Sequence, residues 1–293
     1  MGGVPVDSAG VEPLVVRDIE ALRAAIADAC RTLGERVGFV PTMGSLHDGH
    51  GQLVQHCRAE NDVTVVSIFV NPSQFNSAAD LSAYPRDEAR DIALLAADGV
   101  QIVFAPTAEV MYPPGFSTWV TVDGISEVLE GEFRPGHFRG VATVVARLLR
   151  AVRPARAYFG EKDWQQLLVV RQLVRDLLLD VDIIGVPTVR EADGLAMSSR
   201  NVRLSDAART GALAISAAIR HAQESCDGGV TQVDDLEARL QAALRREPAV
   251  TVDYAVVVDA ETLRPITHVA RPARALVAAH VGGVRLIDNG AIG

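Results

Sequence analysis

The chain contains 293 residues, of which 48% are hydrophobic and 22% charged, a balance typical of globular proteins with a sizeable core. This length predicts one large domain or two domains of moderate size. The net charge of −9 argues against a general nucleic-acid or membrane-surface partner. A small anionic ligand would need a local basic pocket within this acidic background.

The cysteines and the N-terminal residues bear on the compartment. Cys30, Cys57 and Cys226 lie far apart and form no CxxC motif, so the sequence disfavours a disulfide framework or a zinc site and favours a reducing cytoplasm. No apolar run approaches the roughly 20 residues that a membrane span needs. Residues 1–11 lack the basic start and the apolar stretch of a signal peptide, and we expect a short disordered tail there.

Short β-branched runs alternate with helical periodicity from residue 18 to residue 186. The predicted helices cover residues 18–32, 46–60, 86–97, 141–152 and 161–178. The predicted strands cover residues 37–40, 63–70, 101–104, 157–159 and 181–186. This alternation favours an α/β fold with a Rossmann-like parallel sheet in an N-terminal domain, which we place at residues 1–188.

The pattern changes after residue 188. Two helices are predicted at residues 205–225 and 233–246, followed by strands at residues 252–259, 275–280 and 284–287. Helices followed by a run of alternating strands predict a smaller α+β C-terminal domain at residues 189–293. Residues 189–201 would join the two domains.

Three polar segments each follow a predicted strand of the parallel sheet. They cover residues 43–50, 71–75 and 160–166. Ligands of such sheets bind beyond the carboxyl ends of the strands. We therefore expect the three segments to share one edge of the sheet and to form a binding site there.

The segment at residues 41–50 contains two histidines. Ser45 and Asp48 have the spacing of a capping box, which predicts a helix start near residue 46. His47 and His50 then share one face of the first turn. Beside backbone N–H groups, two imidazoles with an ordinary pKa of about 6.5 suit a phosphate group. The alternatives are a pair of surface histidines or a metal site, and the metal is disfavoured because no third ligand is nearby.

Lys162 is the only lysine among the 28 basic side chains of the chain. A compact ammonium fits between phosphate oxygens where the planar fork of arginine does not. On the predicted helix, Lys162 and Gln166 are four residues apart and share a face at a strand-to-helix junction, where anions are readily held. Asp163 suits ribose hydroxyls, or it matches the helix dipole. The alternative for Lys162 is a lysine on a solvated surface.

The loop at residues 197–201 contains Ser198, Ser199 and Arg200, which offer several donors for polyphosphate oxygens. Its place at the predicted domain junction suits a loop that closes over a ligand. The alternative is a solvated linker.

The amides of Asn71 and Gln74 beside Phe75 suit a hydroxylated or carboxylated substrate better than a phosphate, unless they form a simple turn. Arg134 and His137 add donors to which the sequence assigns no role.

These segments together resemble the pantoate–β-alanine ligase (pantothenate synthetase) family over residues 37–289. Within the wider nucleotidyltransferase group, the HIGH-like sequence corresponds to residues 47–50 and the KMSKS-like sequence to residues 197–200. The resemblance is carried by PTMGSLHDGH at 41–50, SIFVNPSQF at 67–75, YPRD at 84–87, GHFRGVATVV at 136–145, FGEKDWQQL at 159–167 and VREADGLAMSSRN at 189–201.

The resemblance implies a two-step reaction. The carboxylate of pantoate attacks the α-phosphate of ATP to give pantoyl adenylate and pyrophosphate, and the amine of β-alanine then displaces AMP to give pantothenate. It also implies Mg²⁺ bound mainly to ATP, and a homodimer. The alternatives are an adenylyltransferase of the same superfamily and a non-catalytic nucleotide-binding module.

The resemblance also implies roles for individual residues. His50 matches the position of the proton donor, with His47 and Lys162 as further catalytic residues. The implied ATP contacts are Met43, Gly44, His47, His50, Gly160, Lys162, Asp163, Val189, Met197, Ser198, Ser199 and Arg200. The implied pantoate and β-alanine contacts are Met43, Asn71, Gln74 and Gln166. A pair of acidic residues, proposed as a magnesium site in some members, corresponds here to Arg90 and Asp91, which disfavours a protein-held metal ion and leaves Asp91 as the candidate ligand.

Overall fold

The structure, a computed structural model, describes residues 12–30 and 34–293. The predicted tail at residues 1–11 and the end of the first predicted helix lie outside the described residues. Within them, a six-stranded sheet has the strand order β1-β4-β3-β2-β5-β6. Its paired strands all run parallel, which confirms the predicted α/β class.

The strands of this sheet are β1 (Leu14–Val16), β2 (Val37–Thr42), β3 (Val63–Ile68), β4 (Ile102–Phe104), β5 (Arg156–Gly160) and β6 (Asp182–Val186). The helices along the same part of the chain are α1 (Ile19–Ala29), α2 (Asp48–Glu60), α3 (Ala78–Ala83), α4 (Glu88–Ala97), α5 (Ala108–Met111), α6 (Glu130–Phe133), α7 (His137–Val152) and α8 (Trp164–Asp176).

Helices cover both faces of the parallel sheet. Successive residues of a strand point to opposite faces, so Phe39 packs in the layer formed with α1, α7 and α8, whereas Val40 packs in the layer formed with α2 and α4. Both side chains are fully buried. Burial on both faces explains why the central strands read as continuous apolar runs.

Five elements differ from the sequence prediction. The predicted helix at 161–178 is a 3₁₀ turn at Glu161–Asp163 followed by α8, because Asp163 leaves the helical region with φ −96° and ψ 60°. The short strand β1 and the short helices α3, α5 and α6 were not predicted, and α5 and α6 have only four residues each. β1 has three residues at the sheet edge, and α3 buries no side chain, so neither leaves a clear hydrophobic period.

The C-terminal part of the chain is a smaller α+β unit, as predicted. It contains α9 (Asp206–Asp227), α10 (Val233–Arg245), β7 (Val250–Asp259), β8 (Ala273–Val281) and β9 (Val284–Ile292). The three strands form an antiparallel sheet in sequence order. Ile215 and Leu236 of the two helices pack against Val277 of the sheet in one core.

The antiparallel sheet also contacts α8 of the parallel-sheet domain. Leu168 packs against Val258, Leu263 and Leu276, and Trp164 Nε1 donates a hydrogen bond of 2.8 Å to the carbonyl oxygen of Ala260. The second sheet therefore lies beside the turn that carries Lys162. No helix of the described residues combines the length and the apolar character that crossing a membrane requires.

Candidate active site

The carboxyl ends of β2, β3 and β5 open into a cavity of about 240 Å³. The predicted ligand contacts that line it are Met43, His47, His50, Asn71, Gln74, Gly160, Lys162, Asp163, Gln166, Val189, Met197, Ser198, Ser199 and Arg200. Gly44 does not line it. That residue is buried with φ 79°, and a Cβ there would lie 2.9 Å from Asp91 Oδ2. The structure thus gathers the other predicted contacts in one place, while their binding roles stay predictions.

His47 and His50 cap the start of α2. His47 Nδ1 accepts the backbone N–H of Gly49 at 3.2 Å, and His50 Nδ1 accepts the backbone N–H of His47 at 3.3 Å. This reciprocal pair is the capping box of the helix. The predicted box of Ser45 and Asp48 is wrong, because Ser45 adopts a left-handed φ of 53° and the helix begins only at Asp48.

The same hydrogen bonds fix the tautomer of both rings. Each Nδ1 accepts an N–H, so the proton of each neutral imidazole lies on Nε2. Burial, and then the neighbouring His47 and Lys162, lower the pKa of His50 to about 3. Burial, and then Lys162, also lower the pKa of His47. Because both pKa values are lowered from the ordinary 6.5, both rings are neutral at pH 7 and offer Nε2–H donors rather than positive charges. The two ring centroids lie 4.2 Å apart.

Asp91 of α4 holds the turn that leads into α2. Its carboxylate is 1% exposed and accepts the backbone N–H groups of Ser45 at 2.7 Å and Leu46 at 2.8 Å. Across residues 12–30 and 34–293, no cluster of three or more His, Cys, Asp or Glu side chains is arranged to hold a metal ion. Because both oxygens of Asp91 already serve backbone amides, the residues present do not fit a metal held by the protein alone.

Lys162 enters the cavity from the 3₁₀ turn at Glu161–Asp163. Its side chain is 18% exposed, and Nζ lies 3.9 Å from Asp163 Oδ2. Gln166, in the first turn of α8, lines the same cavity. The side chain of Asn289 donates hydrogen bonds to the carbonyl oxygens of Glu161 at 3.0 Å and Lys162 at 2.8 Å. The backbone of the turn is therefore held from β9.

The residues at 197–200 reach the cavity from a hairpin between the two sheets. The N–H of Met197 donates to the carbonyl oxygen of Val189 at 2.9 Å, and Arg190 pairs with Ala196 as a β-bridge. Ser198 Oγ accepts the backbone N–H of Arg200 at 3.3 Å. The hairpin thus fixes the backbone from which the two serines and the guanidinium project.

Gln74 ends a 3₁₀ turn (Pro72–Gln74) that packs against α7, and Asn71 caps the start of this turn. Asn71 Nδ2 donates to Gln74 Oε1 and to the carbonyl oxygen of Gly140, both at 3.1 Å. Gln74 Nε2 lies 2.7 Å from Met43 Sδ. The close approach requires glycine at position 140, because a Cβ there would collide with the carbonyl oxygen of Ser73. Both amides are buried, and these contacts fix their orientation.

Arg134 and His137 line the cavity beside these amides, although the sequence assigned them no role. His137 Nδ1 lies 2.9 Å from the carbonyl oxygen of Gln74, and Arg134 Nη1 lies 3.3 Å from His137 Nε2. Since arginine only donates, His137 is neutral with its proton on Nδ1. Burial, and then Arg134, lower its pKa to about 4. Tyr84, half-buried and hydrogen-bonded to Ser199, also lines the cavity. The sequence signals for these residues were the motifs at 84–87 and 134–138.

An adjoining cavity of about 280 Å³ continues from this site towards the C-terminal sheet. The two cavities share Arg134, Lys162, Asp163, Ser198 and Arg200. The far wall of the second cavity includes His280, Arg285 and Asp288 of β8 and β9. The candidate site therefore spans the junction of the two sheets, with the shared cations at its centre.

A parallel α/β sheet whose strand ends gather two neutral imidazoles, one ammonium and a serine–arginine hairpin is typical of a nucleotide-binding protein. Residues 14–291 match the model of the pantoate-beta-alanine ligase family. The chain belongs to this family of ligases.

Curated relatives and solved structures agree with this assignment. The chain is 53% identical to the pantothenate synthetase of Cereibacter sphaeroides, with 94% of this chain and 99% of the relative covered. The crystal structure of pantothenate synthetase from Thermus thermophilus is similar with a TM-score of 0.89 and 49% identity, covering 94% of this chain and 98% of that one.

The crystal structure of the pantoate–β-alanine ligase from Francisella tularensis, complexed with β-γ ATP and β-alanine, is similar with a TM-score of 0.77 and 34% identity. It covers 95% of this chain and 97% of the other.

Proposed function

We propose that the protein condenses pantoate with β-alanine at the expense of ATP, and that it releases AMP and pyrophosphate through a pantoyl adenylate. The observation that carries the proposal is the convergence of the imidazoles, Lys162, the 197–200 hairpin and the Asn71–Gln74 turn on one cavity. The same cavity joins donors for phosphate to buried amides for a second, smaller substrate. Such a pairing suits the joining of a carboxylate to a nucleotide.

The first step brings two anions together. The carboxylate of pantoate attacks the α-phosphorus of ATP, the bond to the bridging oxygen breaks, and pyrophosphate leaves with the electron pair. Repulsion between the reactants is offset by fixed donors, here the ammonium of Lys162, the guanidinium of Arg200 and the Nε2–H groups of His47 and His50. Holding the reactants in position lowers the activation free energy by about 7–11 kcal/mol. Proton transfer by a side chain contributes less, a factor of about 10²–10⁴ in rate. Positioning and charge therefore carry most of the rate.

The neutral state of the two histidines supports donation rather than net charge. With a pKa lowered to about 3 by burial, the ring of His50 is neutral at pH 7 unless a further negative charge is nearby. A bound triphosphate would favour protonation, since a nearby negative charge stabilises the charged ring. The role of His50 as proton donor therefore depends on bound nucleotide.

Gln74, Asn71, Gln166 and Met43 are proposed to hold pantoate and β-alanine. An amide offers both a donor and an acceptor, which suits the hydroxyl and carboxylate groups of pantoate. In the second step the neutral amine of β-alanine attacks the acyl carbon of the adenylate, and AMP leaves with the electrons of the broken acyl–oxygen bond. The amine loses one proton as the amide forms.

We propose that Mg²⁺ enters as the complex with ATP. The contacts of Asp91, whose two oxygens accept two backbone amides, support this proposal. Triphosphate oxygens are the hard ligands that Mg²⁺ prefers. The protein then needs to supply few ligands of its own.

We further propose a domain boundary between residues 188 and 189, with residues 189–293 closing over the water-labile adenylate. The hairpin at 189–197, which joins the two sheets, supports a hinge at that place. A homodimer in the cytoplasm is proposed as well. The free cysteines Cys30, Cys57 and Cys226 suit a reducing compartment, and light scattering of the purified protein tests the dimer.

A coupled assay for AMP tests the function. We expect AMP and pyrophosphate when ATP, pantoate and β-alanine are all present, and turnover of AMP should stop when any one of them is omitted. Release of pyrophosphate with AMP retained on the final product would instead indicate an adenylyltransferase. A protein that binds ATP without any turnover would be a non-catalytic module, and the proposal would be wrong.

A further inference from the structure

Asp288 and Asn289 are adjacent buried residues of β9 that contact the two segments carrying Lys162 and Arg200. They are 5% and 3% exposed, respectively. Asn289 contacts the 3₁₀ turn of Lys162, and Asp288 contacts Arg190 in the hairpin that leads to Arg200. One short stretch of the C-terminal sheet therefore reaches both sides of the polyphosphate site.

The orientation of the Asn289 amide is fixed by Arg274. Arg274 Nε donates to Asn289 Oδ1 at 2.6 Å, and because a guanidinium only donates, Nδ2 must face the two carbonyl oxygens of the lysine turn. Arg274 is itself held by stacking 3.4 Å over the ring of Trp164 and by Glu161 Oε2 at 3.3 Å. The amide thus has one geometry, in which it serves the carbonyl oxygens of Glu161 and Lys162.

Asp288 holds the hairpin in a comparable way. Arg190 donates to Asp288 Oδ2 at 2.7 Å and to Oδ1 at 3.0 Å, a two-pronged ion pair. Arg190 Nη1 also donates to the carbonyl oxygen of Gly194 at 3.2 Å, across the tip of the hairpin. Asp288 Oδ1 in turn accepts the backbone N–H of Asn289 at 2.8 Å. The two residues are therefore coupled to each other as well as to their segments.

The lysine turn needs such support. A 3₁₀ turn of three residues satisfies few of its own carbonyl groups, and buried carbonyl groups left without a partner are costly. Among the described residues, the Lys162 ammonium has one ion pair, a loose one at 3.9 Å from Asp163 Oδ2. Its place in the cavity is then set by the backbone from which it extends, and Asn289 holds that backbone.

We infer that Asp288 and Asn289 are positioning residues that set the distance between Lys162 and the Ser198–Arg200 loop for one bound triphosphate. They act through the lysine turn and the hairpin, not by contact with the nucleotide. The inference rests on the proposed use of ATP, and it adds residues from the C-terminal sheet to the machinery of adenylate formation.

The Asn289→Asp variant tests the inference with a change of similar shape. The carboxylate still accepts from Arg274 but no longer donates to the two carbonyl groups. We expect the dissociation constant of α,β-methylene-ATP, measured by calorimetry, to rise about tenfold, while the KM for β-alanine stays unchanged. The matched control is Gln223→Glu, which removes an amide donor to the carbonyl oxygen of Ala291 on the same strand, and it should bind like the parent. Parent-like binding by Asn289→Asp would overturn the inference.

A double-mutant cycle with Lys162→Ala separates positioning from general destabilisation. If Asn289 acts through Lys162, the Lys162→Ala/Asn289→Asp protein should bind the analogue no more weakly than Lys162→Ala alone. Additive losses would show a merely structural role and overturn the inference. Should Asn289→Asp fail to fold, Asp288→Asn replaces it, with Arg200→Ala as its partner in the cycle.

The binding assay contains neither pantoate nor β-alanine. Failure of the proposed reaction would therefore appear in the AMP assay and leave the cycle interpretable.

Discussion

Lys162 is the only lysine of a chain that otherwise uses arginine, and it lines both cavities. We expect Lys162→Arg to lower kcat at least about tenfold, because the planar fork does not take the place of a compact ammonium. The measurement is steady-state release of AMP. Arg175→Lys, an exchange on the exposed side of α8, should leave kcat unchanged and serves as the control. Parent-like kinetics in Lys162→Arg would mean that positive charge alone suffices.

His50 combines two tasks at one residue, since it caps α2 through Nδ1 and offers Nε2–H to the cavity. We expect His50→Ala to slow adenylate formation about 10²-fold, measured as single-turnover release of pyrophosphate. His50→Gln keeps an N–H donor but transfers no proton. If donation by a neutral ring is the main contribution, the glutamine variant should retain more activity than alanine. Unchanged pyrophosphate release in His50→Ala would remove this residue from the mechanism.

At the scale of elements, Asp91 of α4 hydrogen-bonds to the backbone of the turn that precedes α2. Asp91→Asn should lower the free energy of unfolding by about 1–3 kcal/mol, because one backbone N–H of Ser45 or Leu46 then faces an NH₂ group instead of an acceptor, while the other keeps only a neutral acceptor. Urea unfolding measures this change. If Asp91 instead held Mg²⁺, the variant would mainly raise the Mg²⁺ concentration needed for turnover, so a Mg²⁺ titration of activity distinguishes the two roles.

The elements that could be predicted from the sequence are those that bury many apolar side chains in a regular pattern. β2 and β3, buried on both faces, and the amphipathic α9 and α10 have strong periodic signals. The turn at Glu161–Asp163 had no such signal, because helical spacing does not distinguish a 3₁₀ turn from the first turn of an α-helix. Asn289, the residue that holds this turn, lies 127 positions later than Lys162. The capping of α2 by histidines also escaped prediction, since it depends on the left-handed φ of Ser45.

At the scale of the whole molecule, the sequence predicts only part of the candidate site. Strand order places the segments after β2, β3 and β5 at one edge, so a cavity there could be expected from the alternation of strands and helices. Arg134 and His137 come from α7 and the residues before it, and the Asp288–Asn289 pair comes from a separate sheet. They lie close to Lys162 because the two sheets pack together, and spacing along the sequence does not predict this packing.

Burial of neutral histidines also makes the stability of the whole molecule depend on pH. His50 and His137 have pKa values lowered to about 3 and about 4, whereas in the unfolded chain each takes a proton at its ordinary value of about 6.5. Between those values the unfolded state binds more protons than the folded state, so the free energy of unfolding falls as the pH falls. For His137 alone, we expect a loss of about 1–2 kcal/mol between pH 6.5 and pH 5.

Urea unfolding at pH 7.5, 6.5 and 5 measures this dependence. His137→Asn keeps an N–H donor for the carbonyl oxygen of Gln74 but cannot be protonated, so its stability should fall less steeply with acid than that of the parent. His221→Gln, at an exposed position of α9, removes a histidine without changing a buried one and should follow the parent. If His137→Asn and the parent lost stability equally between pH 6.5 and pH 5, the buried neutral imidazole would not be the cause, and carboxylates shared by all three proteins would account for the acid sensitivity.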